Sequence, residues 1–285
     1  VEKQFRIDKV GCFAMPALCL ILAASRVCGA PPGDSFLLVT DGRTDGRVLV
    51  QPIPYEPDEG DLVLFDDHSK NWRALYHFVG SDVPDHSGIV VKLPDGRPAL
   101  LESGPDDGKL CGMQVVILEA YSRLHQCPNT MYIRRLRCPL NPAQSQALTD
   151  FALAQSGKRY ALGRLLLQGT PCRCRSGLRA RLFGHTYMDR DAWLCSELVV
   201  AAGTAAGLFD PHVHFANRIY PLDLFDERTY PDLIERWWPV AVWSPTPADT
   251  LPPAADLLVK PPEQSHEYLR FHCLSGLFGE VSGGR

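Results

Sequence analysis

Trp193-Leu-Cys-Ser-Glu-Leu-Val-Val-Ala-Ala202 is the stretch from which the rest of the chain is best read. Leu198, Val199, Ala202, Ala205 and Ala206 recur at helical spacing, and Gly207 is placed to end the helix in a left-handed turn. Cys195 then sits in the first turn, at the positive end of an apolar helix. Unpaired backbone N–H groups and the macrodipole favour an anion there, so the thiol ionises more easily than a free one. A thiolate is the attacking species in cysteine catalysis. On the helix alone the plainer reading, a buried cysteine packing as a small hydrophobe, has the better claim.

A second stretch changes that balance. Asp85-His-Ser-Gly-Ile-Val-Val-Lys-Leu93 reads as a strand, Pro94-Asp-Gly96 as a three-residue loop, and residues 97–103 as the returning strand. Proline, aspartate and glycine in that order suit a type I turn followed by a left-handed glycine. Leu93 then faces Arg97, which places Glu102 opposite Gly88, with His86 two residues further along the same face. His86 and Glu102 become diagonal neighbours, and Gly88 is expected to leave the space between them open. A loop of two or four residues would put them on opposite faces.

Around these two stretches, Asp61-Leu-Val-Leu-Phe65 is a buried-strand pattern introduced by Gly60, and residues 66–84 read as a loop. Residues 36–40 and 48–50 suit a hairpin, and 115–118 and 131–136 suit strands, with a short helix or turn over 119–125. Asn141 and Pro142 open a helix as cap and first residue, and Gly157 closes it. Residues 169–191, rich in arginine and without periodicity, read as an insertion before the cysteine helix. Residues 237–243 suit a final strand, and proline dominates 245–262 as in a linker.

Taken together, Gly60-Asp-Leu-Val-Leu-Phe65, His86-Ser-Gly-Ile-Val-Val91, Leu100-Leu-Glu-Ser103, Gly157-Lys-Arg-Tyr160 and Cys195-Ser-Glu-Leu-Val199 give a resemblance to a known family. The chain resembles the circularly permuted papain-like proteins of the NlpC superfamily, in particular the YiiX-like group. The resemblance covers residues 57–243, with about a hundred residues between histidine and cysteine. It implies an α+β fold in which an antiparallel sheet packs against the helix carrying the nucleophile. It also implies roles: Cys195 as nucleophile, His86 as general base and then acid, and Glu102 orienting the imidazolium. The backbone N–H of Cys195 would meet the oxyanion, with Tyr160 and Ser196 as further residues of the oxyanion or substrate pocket. The chain departs from the family where Ala161-Leu-Gly-Arg164 follows the tyrosine instead of aspartate, and in the length of 169–191. Both departures fall where a substrate would enter.

The domain reading that follows is a signal peptide over 1–30, an N-terminal extension over 31–56, the catalytic domain over 57–244, and a proline-rich linker and tail over 245–285. The targeting segment rests on Lys3, Arg6 and Lys9 ahead of an apolar run over 10–24, too short to span a bilayer comfortably, with cleavage after Ser25 or near Ala30. A retained membrane anchor is the competing reading. Export to the periplasm, cell envelope or medium permits disulfides. Past residue 30 there are seven cysteines, Cys111, Cys127, Cys138, Cys172, Cys174, Cys195 and Cys273, and Cys195 is the candidate for an unpaired one.

A formal net charge of −4 gives no general reason to expect nucleic-acid binding. Cys172 and Cys174, with His185 or with His212 and His214, fit a zinc site poorly because structural zinc takes cysteines two to four residues apart. Trp237, Trp238 and Trp243 read as core aromatics. The expectation is therefore a secreted thiol hydrolase that needs no metal or organic cofactor, cleaves an amide in a cell-wall or other small peptide, and has no stable membrane insertion after signal cleavage. Nothing in the sequence assigns an oligomeric state. Two alternatives keep the fold: an acyltransferase or lipid (thio)esterase using the same thiol, and an inactive envelope binding module.

Overall fold

The run Leu62-Val-Leu-Phe-Asp66 lacks the alternation of a half-buried strand, which is the pattern of a strand covered on both faces. The computed structural model describes residues 34–251, with the exception of 45–46, 67–69, 79–80, 105–112, 168–169, 171–185, 227–229 and 231. In it this run is strand β3 (Leu62–Asp66), buried at every position and central to the sheet. The other strands are β1 (Phe36–Thr44), β2 (Arg47–Pro54), β4 (His86–Lys92), β5 (Pro98–Gly104), β6 (Gln114–Glu119), β7 (Thr130–Arg134), β8 (Arg159–Tyr160), β9 (Ala192–Trp193) and β10 (Ala241–Ser244). Among the described residues they form one sheet in the order β2-β1-β10-β7-β3-β4-β5-β6-β8-β9, antiparallel except for β8 with β9.

The helices are α1 (Lys70–Phe78), α2 (Ala120–Gln126), α3 (Pro142–Gln155), α4 (Leu162–Leu167), α5 (Cys195–Ala205), α6 (Pro221–Phe225) and α7 (Leu233–Arg236). Strand parity sorts the core into two layers. Leu62, Leu64, Ile89, Val91 and Leu101 pack on one face with α3 and α5, and Val63, Phe65, Val90 and Leu100 pack on the other with Leu124 of α2. The molecule is thus a mixed α+β fold with its cysteine helix against β4 and β5.

Several local readings hold. Asn141 accepts the N–H groups of Ala143 and Gln144, Pro142 begins α3, and Gly157 follows the helix with φ +80°. Gly207 follows α5 with φ +69°. Other readings are corrected. Residues 66–84 are not a loop throughout, because α1 lies within them. The final strand begins at Ala241 rather than residue 237: Pro239 has no N–H to give a ladder, and Trp237 makes only an isolated bridge with Leu136. Trp237 and Trp243 are core residues as read, but Trp238 is half exposed and lies under the Arg137 guanidinium. The hairpin of β1 and β2 belongs to the same sheet as the rest, since β1 pairs with β10 from Phe36↔Ser244 to Leu38↔Val242. The segments 1–33 and 252–285, and the pair Cys172 and Cys174 with His185, lie outside the described residues.

Arg134 shows how the C-terminal third is fastened to the sheet. Although on β7 and fully buried, it donates to the carbonyls of Leu224 (2.9 Å), Phe225 (3.0 Å) and Trp238 (3.3 Å). The first two close the C-terminus of α6, where carbonyls lack helical partners and a cation is favoured. Arg134→Met keeps the bulk and orphans these acceptors, so a loss of ~3 kcal/mol or more in urea unfolding is expected. A loss below ~1 kcal/mol would mean that the arginine does not hold this junction.

Candidate active site

The hairpin between β4 and β5 has the register that its loop dictates. Gly96 has φ +87°, its N–H reaches the Leu93 carbonyl at 2.8 Å, and the Leu93 N–H reaches Arg97 O at 2.9 Å. Gly88 pairs with Glu102, so His86 shares the face of that carboxylate, and His86 Nε2 lies 2.9 Å from Glu102 Oε2. The space for the imidazole comes from a different glycine than expected. A β-carbon at Gly88 would meet Leu100 (2.9 Å to Cδ1), whereas one at Gly104, opposite His86 in the same register, would come within 2.9 Å of His86 Cε1 and 3.3 Å of Nδ1.

Cys195 approaches from the other layer as the first residue of α5, where its N–H has no partner within the helix. Its thiol is hydrogen-bonded to His86, with Ser87 and the Tyr76 hydroxyl also beside it. With Nε2 held by Glu102, Nδ1 is the nitrogen left for the thiol proton. Cys195 is buried and the His86 side chain is 18% exposed, so the open side of the pair is at the histidine. Cys195 carries no disulfide, and neither do Cys127 and Cys138.

The electrostatics favour a charged pair. Burial alone would push the Cys195 thiol up, but the interaction with His86 and its charge, with smaller influences from Ser87 and Tyr76, bring it below its ordinary value. For His86 burial works against the cation, and bonds to Cys195 and Glu102 together with their charges reverse this, to about 10. Burial would raise Glu102, yet His86 and Arg123 hold it down at about 2. A carboxylate depressed in this way stabilises the fold above its unfolded value of about 4.3 and loses that contribution as the pH falls toward its folded value.

Arg123 was not legible beforehand. Glu119 ends β6 and its carboxylate accepts the N–H groups of Tyr121 (3.2 Å) and Ser122 (2.7 Å), which starts α2. One turn on, Arg123 Nε reaches Glu102 Oε1 at 2.7 Å and Nη2 reaches Oε2 at 3.3 Å, with the guanidinium over the Phe65 ring. Glu102 is thereby fixed by a planar fork on one side and left to orient the imidazole on the other.

Of the two pocket candidates, Tyr160 is at the site beside Tyr76, and both phenols are raised well above the ordinary value, first by burial and then by the Cys195 charge. Ser196 is not. Its hydroxyl donates to Ile219 O at 2.5 Å and is buried, so it anchors α5 to the following segment instead of serving a pocket.

Glu197, which on charge alone opposes a thiolate two residues away, is neutralised. It is 1% exposed, accepts from Arg164 Nη2 at 2.5 Å and the Leu194 N–H at 3.3 Å, and has Arg190 Nη1 at 3.5 Å. Arg164 precedes the 169–191 segment and Arg190 is near its end, so both arginines tie that segment to the start of the cysteine helix. Arg164→Gln should therefore raise the pH at which Cys195 ionises, measured by the pH profile of its alkylation. An unchanged profile would show that Glu197 does not act on the thiol.

Among the described residues no group of three or more His, Cys, Asp or Glu side chains is arranged to hold a metal ion, and no helix is long and apolar enough to cross a membrane. No protein family and no curated protein matches the chain. A solved structure described as the metalloprotein yiiX from Escherichia coli O157:H7 is similar over 53% of this chain and 67% of that one, with 20% identity and a TM-score of 0.36. A likeness of that degree bears on neither the site nor its chemistry.

Proposed function

We propose that this protein is a cysteine hydrolase of the permuted papain-like type that cleaves an amide bond in a small peptide, with peptides of the cell wall as the first class to try. The observation that carries the proposal is the convergence of Cys195, His86 and Glu102, held by the 2.9 Å contact between Nε2 and Oε2 and by the lowered thiol. The Cys195 thiolate attacks the carbonyl carbon, and the carbonyl electron pair moves onto oxygen beside the Cys195 N–H. As that pair returns, the carbon–nitrogen bond breaks and His86 gives its proton to the leaving amine. His86 then takes a proton from water, whose oxygen releases the acyl group from sulfur. Glu102 stays ionised throughout and stabilises the imidazolium.

The test is turnover of a panel of short peptide amides by wild type and Cys195→Ala, with folding of the variant checked by circular dichroism. Loss of all turnover above background is expected of the variant. Equal turnover by both proteins would overturn the assignment, and so would a wild-type thiol that neither turns over an amide nor forms an acyl adduct with any activated ester.

A further inference from the structure

Helix α1 fits none of the patterns that read as strand, turn or cysteine helix, yet it carries a group to the reacting sulfur. Of its described side chains, Arg73, Ala74, His77 and Phe78 are exposed and Tyr76 alone is buried. The Tyr76 hydroxyl stands 3.9 Å from Cys195 Sγ, and Tyr160 of β8 is beside it. Among the described side chains of this helix one phenol thus enters the core, and it is placed on the nucleophile.

We propose that the Tyr76 hydroxyl is the second oxyanion donor of this site, acting with the N–H of Cys195. This rests on the hydrolase reading above. In the tetrahedral adduct the charged oxygen is on the carbon bonded to sulfur, so a donor that serves it must flank the sulfur, roughly 3 Å from the oxygen's position. The hydroxyl flanks it, and the helix N-terminus supplies the other donor from the backbone. Burial and the adjacent thiolate hold the phenol far above its ordinary value, so it keeps its proton beside an anion. During attack one bond forms, from sulfur to carbon, and the carbonyl pair moves to oxygen. Tyr76 donates a hydrogen bond and transfers nothing, so the leaving amine still takes its proton from His86.

A donor to the oxyanion differs from a group that only favours the resting thiolate or covers it. Alkylation by iodoacetamide consumes the thiolate without forming an oxyanion, and acylation by p-nitrophenyl acetate forms one. Both rates are to be measured at Cys195 by peptide mass spectrometry, in wild type and Tyr76→Phe, above the pH at which each alkylation profile has levelled. The expected result is a loss of about a hundredfold in acylation, the scale of one oxyanion donor, with alkylation changed by less than threefold. Acylation that falls no further than alkylation would overturn the proposal while leaving Cys195 as the nucleophile. A wild-type Cys195 that is alkylated but never acylated would remove the hydrolase reading itself and the Tyr76 role with it. If Tyr76→Phe does not fold, 3,5-difluorotyrosine at position 76 keeps the ring and makes the hydroxyl a stronger donor. The ratio of acylation to alkylation should then rise, and an unchanged ratio would overturn the assignment.

Discussion

In His86→Ala the pH at which Cys195 is half ionised should move from below the ordinary thiol value of about 8.5 to above it. The direction follows from the order of the influences on the thiol. Burial is the largest and opposes the thiolate, and His86 is the first of the groups that overcome it. Without the imidazolium, Ser87, Tyr76 and the helix terminus remain, and burial prevails. The midpoint of the alkylation profile is a better reading than the rate at neutral pH. Each unit of rise removes about tenfold of the thiolate, but a more basic thiolate is roughly threefold more nucleophilic per unit, so the rate understates the change. In wild type the profile should have a second limb on the alkaline side, near the His86 value of about 10, where the imidazolium is lost. A raised histidine of this kind stabilises the pair below its unfolded value of about 6.5 and ceases to do so as the pH passes its folded value. An alkylation profile identical in wild type and His86→Ala would disconnect the two residues.

The second large effect comes from a residue that takes no part in the chemistry. Gly104→Ala adds one methyl group at a backbone position with ordinary dihedral angles, so the fold should keep its melting temperature to within a few degrees. The methyl lands 2.9 Å from His86 Cε1, and the ring cannot yield without disturbing its contacts, because Phe65 lies against it with ring centroids 5.2 Å apart and Glu102 holds Nε2. A displacement of several tenths of an ångström is forced on the nitrogen that faces the thiol. Misplacement on this scale costs on the order of a hundredfold where reacting groups must meet in one geometry. Acylation of Cys195 by an activated ester should fall by about that factor, and the thiol midpoint should rise toward that of His86→Ala. A variant that melts like wild type and acylates like wild type would show that the imidazole tolerates the methyl group.

The hairpin explains why part of the site could be read in advance. Pro94-Asp-Gly96 suits a three-residue loop, that loop fixes one register, and the register puts His86 and Glu102 on one face. Helices α3 and α5 were equally legible, because Asn141, Pro142, Gly157 and Gly207 are local signals that act within a turn of themselves. What was missed depends on packing between distant segments. Arg123 is an ordinary charged residue on a short helix until β5 and β6 pair and bring α2 beside Glu102. Tyr76 belongs to a helix whose apolar residues, Trp72, Leu75 and Tyr76, recur at helical spacing for little more than one turn, too short a run to stand out from a loop. Gly88 faces Glu102 and lies two residues from His86 on the same strand, whereas Gly104, which makes the room, meets His86 only across the ladder. Ser196 is an anchor and not a pocket residue for a related reason: the Ile219 carbonyl that accepts its hydrogen bond is on a segment with no periodic pattern.

The pairing of β1 with β10 has a consequence for anyone who shortens this chain. In the full sheet the outermost strand on that side is β2, which has Pro52 and Pro54, and its Val50 N–H is taken by Asp249 O at 3.1 Å. Those prolines offer no donors to an incoming strand, which is how natural sheets discourage association at their margins. A fragment beginning at residue 57 lacks β1 and β2 and leaves β10 with one side of its ladder open, flanked by Val242 and Trp243. Such a fragment retains every residue assigned to the site, and it also presents an apolar, unprotected edge on which copies can add to one another. The first hairpin supplies no residue to the site and covers that edge, so removing it should show first as aggregation.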